Sequence, residues 1–189
     1  MDLNWTPEEL SFIAEQETTI KITPNFNLDK MDFISGSFGS FRAGHQIKVP
    51  LWLGLHLNKK DACTLHPPSW LTISILKQLI AREKENKEAL GKVPSHYIEV
   101  AFAFFNSERS NIVEPDLVRS LIEDLWTLRI EKIRSIFTKK AENLTELYFT
   151  CENITKMEVH MFREPISAII SILASLYDKA TENQENTQE

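Results

Sequence analysis

The chain has 189 residues, 42% hydrophobic and 25% charged, with a formal net charge of −6. That length and composition suit a soluble globular protein of one sizeable domain or two small ones, and the acidic balance argues against broad, nonspecific binding to nucleic acid. No apolar run reaches the length of a bilayer span, and two cysteines, Cys63 and Cys151, are too few and too far apart for a disulfide framework or a CxxC metal site.

The opening "MDLNWTPEEL" has no basic segment followed by an apolar run, so no secretory signal is read there. The expected setting is intracellular, with both cysteines as free thiols and the N-x-T sequons at Asn143 and Asn153 as chance matches. "TPEELSFIAEQE" predicts a helix. Thr6 can cap it, Pro7 suits its first position, and Glu9 completes a capping box.

"TTIKITP", "MDFIS" and "HQIKVPL" are short β-branched and aromatic runs that read as strands, the last stopping at Pro50. Between the second and third lies "GSFGSFRAGH". It carries neither a Walker pattern nor GxGxxG, and it leads into a strand, whereas a phosphate cradle leads into a helix N-terminus. It is expected to be a turn between strands, its glycines accepting positive φ. "LWLGLHLNK" reads as a short helix, and "CTLHP" is one more short strand signal before Pro67 and Pro68.

Helical patterns fill the rest. A helix is expected from about Thr72 to Glu88, its charged second half "AREKENKE" projecting into solvent, and "LGKVP" then breaks it. "SHYIEVAFAFFNSE" is apolar almost all round and predicts a buried central helix. "EPDLVRSLIEDLWTLRIEKIRSIFTKKAENL" is the longest periodic segment. "EPISAIISILASLYDKA" makes a last amphipathic helix through Ile166, Ile169, Ile170, Leu173, Leu176 and Tyr177, and the polar tail "TENQENTQE" is expected to be disordered. The fold class is therefore α+β, mainly α: a small N-terminal β-rich domain followed by a larger α-helical bundle domain.

No active site emerges. The histidines, His45, His56, His66, His96 and His160, are scattered without metal-ligand spacing. No GxSxG is present, and Cys63 reads as a buried structural thiol. No catalytic, cofactor-binding or metal-ligating residue is expected.

The long helix is more informative. At about 100° per residue, Leu117, Leu121, Leu125 and Leu128 form one stripe, and Val118, Ile122, Trp126, Ile130, Ile133 and Phe137 form a second beside it. Together they cover an arc of roughly 220°, wider than one core requires. Arg129 falls in the middle of that arc and Lys132 within the first stripe. Two readings stay open: a bundle helix whose cations reach out to water, or an arc partly facing another protein, where Arg129 would pair with a buried carboxylate or carbonyl.

"FIAEQE…IKITPNFNLDKM", "VPLWLGLHLNKKDACTLHPPSWL", "IEDLWTLRIEKIR" and "ENITKMEV" together resemble the second Psf subunit family of the eukaryotic GINS complex, over about residues 8 to 178. The resemblance implies a non-catalytic subunit of a heterotetramer with the first and third Psf proteins and the Sld-five protein. It places GINS with the Cdc-forty-five protein and the Mcm hexamer in the replicative helicase, in the nucleus, meeting DNA only through the assembled complex and meeting no membrane. It also implies a B-type β-rich domain over 1–62, an A-type helical domain over 63–180 and an acidic tail over 181–189. For the long helix it favours an interface, with Trp126, Arg129, Ile130, Lys132 and Ile133 as the expected subunit-contact residues. The competing classes are a free-standing nucleic-acid-binding module, disfavoured because no strand interleaves aromatic and basic residues, and a small enzyme with a concave pocket of converging titratable groups.

Overall fold

The structure, a computed structural model, describes residues 5–86, 88–142, 151–165, 167, 168 and 171. Helix α1 (Pro7–Glu17) begins as its sequence predicts: the Thr6 hydroxyl accepts from the Glu9 amide, and the Glu9 carboxylate accepts from the Thr6 amide. Its buried residues are Leu10 and Ala14.

Strand β1 (Thr19–Pro24) alternates strictly, with Ile20, Ile22 and Pro24 inward and Thr19 and Lys21 outward. It is the central strand of a three-stranded antiparallel sheet, flanked by β4 (Ile47–Pro50) and β5 (Cys63–His66). Strands β2 (Met31–Phe33) and β3 (Gly36–Phe38) form a separate hairpin. The glycine segment therefore differs from a simple turn, because Gly36-Ser37-Phe38 is itself a strand. Phe33 and Phe38 both set their rings edge-on to Trp52, with centroids 5.4 and 6.2 Å apart, and this pins the hairpin to the next helix. Gly39 has φ 121°, and a Cβ there would lie 3.0 Å from Lys30 Cα, so this corner requires glycine.

Pro50 ends β4 and starts α2 (Leu51–Lys59) without a loop. This helix lies so close to the sheet that a Cβ on Gly54 would meet Ile20 Cδ1 at 2.7 Å. Strand β5 lies past the boundary expected at residue 62, yet it pairs with β1 along Lys21–Pro24, so the sheet extends to His66.

Helices α3 (Ile73–Glu85), α4 (Tyr97–Phe105) and α5 (Pro115–Glu142) follow, with α3 packed along α5. A further helix, α6, runs over 156–165. It starts well before the expected "EPIS", and the expected apolar positions Ile166 to Tyr177, like the tail, lie outside the described residues. One apolar core is continuous from the sheet (Ile20, Ile22, Leu65) into the bundle (Leu76, Phe104, Val118, Leu125). A second, smaller one gathers Leu90, Ile133 and Phe162.

Two expectations fail on burial. The charged end of α3 does not simply project into solvent, because Glu83 is only 2% exposed. Helix α4 is not buried all round, because Phe102 is 64% exposed.

Candidate subunit interface and its buried support

Along α5, positions 125, 129 and 132/133 recur at helical spacing and share one face. Leu125 and Ile133 are fully buried on it, and Arg129 sits between them with no exposed surface. A buried guanidinium is costly unless every donor is satisfied. All five N–H donors of Arg129 are used within the chain. Nε donates to Glu158 Oε1 at 2.6 Å and Nη2 to Glu158 Oε2 at 3.0 Å, a bidentate pair. Nη1 donates to Glu83 Oε2 at 3.1 Å and to the Gly91 carbonyl at 2.9 Å, and Nη2 also reaches the Asn153 carbonyl at 2.8 Å.

Lys132, one turn on, completes the set. Its Nζ donates to Glu83 Oε1 at 2.8 Å and to the Glu83 carbonyl at 2.9 Å. Glu83 Oε2 also accepts from the Gly91 amide, and a Cβ on Gly91 would come within 2.7 Å of that oxygen. Two cations and two carboxylates make the cluster formally neutral. Burial opposes the Arg129 charge, but the hydrogen bonds and charge of Glu158, then the charge of Glu83, hold its pKa above the ordinary value. Tyr97 donates to Glu158 Oε1 at 3.1 Å, and burial first, then the Glu158 charge, pushes its phenol well up.

Glu158 is placed by a capping box. Its Oε2 accepts from the Thr155 amide at 2.8 Å, and the Thr155 hydroxyl receives the Glu158 amide at 3.4 Å. The cluster thus joins α3, the strap at Gly91, α4, α5 and the start of α6.

A second polar junction ties α1 to α4. His96 Nε2 lies 2.8 Å from Glu17 Oε2, and His96 Nδ1 lies 3.7 Å from Glu99 Oε1. Among the described residues, neither Nδ1 nor that Oε1 has a hydrogen-bond partner. Burial raises the Glu99 pKa, while the His96 hydrogen bond is the main cause of a lowered value at Glu17. Cys63 is buried as expected, its thiol pushed up to about 11 by desolvation.

Of the five residues expected at a subunit contact, Arg129, Lys132 and Ile133 are buried within this chain, Arg129 and Lys132 sharing Glu83 and Ile133 belonging to the smaller core. Trp126, on the main core, and Ile130, on the smaller one, are half-buried and keep an outer edge. Further exposed apolar surface lies at Leu117 near the start of α5 and, off that helix, at Phe12, Phe102, Val113 and Met161. Phe102 borders a groove of about 370 Å³ between α1, α2 and α4, lined also by Ala14, Glu15, Leu55 and Asn106. Among the described residues, no group of three or more His, Cys, Asp or Glu is placed to hold a metal ion.

Glu83, Glu158 and Tyr97 were not singled out from sequence. A signal existed for two of them. Thr155-x-x-Glu158 is a capping-box pattern ahead of an apolar stretch, and Glu83 follows Leu76 and Ile80 at spacings that put it on the apolar face of α3.

Comparison with known proteins resolves what such a two-part chain is. Residues 6–66 match the family model described as the PSF2 N-terminal domain, ending at the last residue of β5, and residues 70–177 match the GINS complex protein helical bundle domain. The chain belongs to the PSF2 family of GINS proteins. Within the family, the protein named Probable DNA replication complex GINS protein PSF2 in Brugia malayi is 36% identical over 185 residues, covering 96% of each chain. DNA replication complex GINS protein PSF2 of Homo sapiens is 34% identical over 153 residues, 80% of this chain and 81% of that one. Its Xenopus laevis counterpart is 32% identical over 176 residues, 89% and 92% of the two chains.

Proposed function

We propose that this chain is the PSF2-type subunit of a GINS complex acting in DNA replication in the nucleus, and that its role is structural and not catalytic. The observation that carries this reading is the pair of family matches, in order and over nearly the whole chain, beside relatives of similar length named for that complex. Its partners on this reading are the first and third Psf subunits and the Sld-five subunit. The assembled complex joins the Cdc-forty-five protein to the Mcm hexamer in the replicative helicase, and DNA is met through that assembly.

The geometry suits such a role. Trp126 and Ile130 offer the outer edge of α5, while Arg129, Lys132 and Ile133 hold that helix rigidly from behind. Phe12 and Phe102 add exposed aromatic surface of the kind that anchors protein contacts. Depleting the protein from a replication-competent extract should stop DNA synthesis, and the co-purified four-chain complex should restore it. Restoration by this chain alone, or synthesis that continues after depletion, would overturn the reading.

A further inference from the structure

The outer face of the β4-β1-β5 sheet carries lysine charge that no ion pair among the described residues balances. Lys48 on β4 stands directly opposite Lys21 on β1, which stands opposite His66 on β5. At a strand spacing of about 4.8 Å these three side chains form a row roughly 10 Å long. Thr19, Thr23 and Thr64 supply the rest of this face on β1 and β5, so those strands present no carboxylate there. Thr23 Oγ1 lies 2.7 Å from His66 Nε2 and steadies the imidazole at one end of the row.

Like charges directly opposite on neighbouring strands destabilise a sheet. Among the described residues, neither Lys21 nor Lys48 makes an ion pair, although both are exposed. The imbalance is regional. Residues 18–60 hold six lysines and arginines against two aspartates, a net +4, in a chain whose total is −6.

We infer that this sheet face docks an acidic segment of a partner chain, lying extended across the strands. Carboxylates at alternate positions of an extended segment fall about 7 Å apart, a spacing that fits within the lysine row. Charge complementarity selects an anionic occupant, and two features favour a polypeptide over nucleic acid: β1, β4 and β5 place no Phe, Tyr or Trp on this face for a base to stack on, and it offers too few cations for the many phosphate contacts of duplex binding.

The inference rests on the proposed membership of a GINS assembly, and it is tested on that assembly. The four chains are co-purified, treated with a carbodiimide that joins lysine to carboxylate without a spacer, and separately acetylated under limiting reagent. The expected result is cross-links from Lys21 or Lys48 to aspartate or glutamate of another chain, with acetylation of both at least tenfold slower than at the exposed Lys77 of α3. A 1:1:1:1 assembly in which Lys21 and Lys48 react as fast as Lys77 and give no cross-links would overturn the inference and leave the subunit role standing. Protection that appears only on adding duplex DNA would overturn it in favour of nucleic acid. Failure of the four chains to assemble would overturn the subunit role, and this inference with it.

Discussion

Glu99 is a carboxylate whose surroundings work against its charge. It is buried at the start of α4, its Oε1 3.7 Å from His96 Nδ1 and without a hydrogen-bond partner among the described residues, and burial raises its pKa above the ordinary 4.5. The linkage has a definite sign. Below about pH 4.5 the group is protonated in both folded and unfolded chains and costs nothing. As pH rises toward the raised folded value, the unfolded chain ionises more readily, and stability falls. Glu99→Gln keeps the shape and cannot ionise. Relative to the native chain it should gain nothing at pH 4 and be the more stable at pH 7, as measured by urea midpoints at the two pH values. A variant less stable at pH 7 would mean that the His96 contact outweighs the burial of Glu99.

At the scale of elements, the Arg129 cluster fastens the start of α6 to the long helix. Removing one partner strands a buried charge, which costs about 3–5 kcal/mol, whereas a lost N-cap costs about 1 kcal/mol. Glu158→Gln should therefore destabilise the chain several times more than Thr155→Ala in denaturant unfolding. Equal losses would reduce Glu158 to a helix cap. The α1 cap was legible in the sequence because Thr6, Pro7 and Glu9 act on one another within four residues. The Arg129 partners were not, because Glu83 and Glu158 come from 46 and 29 residues away. The arc on α5 reads from sequence as wider than one core requires, and in the structure most of it packs on two cores and an internal ion cluster. Likewise "GSF" could not show itself as a strand, since β3 exists only through its pairing with β2.

At the scale of the molecule, sheet and bundle share one apolar core, so they are built to behave as a single unit. The two-part architecture was visible from composition, because strand signals end before residue 67 and helical periodicity follows. Which apolar side chains would stay outside was not. Phe102 continues the apolar pattern of α4, and only the packing of that helix reveals its exposed side. Such surface, with the free edges of Trp126 and Ile130, is what a subunit would bury in its complex. The most direct measurement is molar mass by light scattering, on this chain alone and co-expressed with the other three GINS proteins. The subunit account predicts a stable 1:1:1:1 species, with the lone chain poorly soluble or self-associated. A well-behaved monomer that ignores those three partners would contradict it.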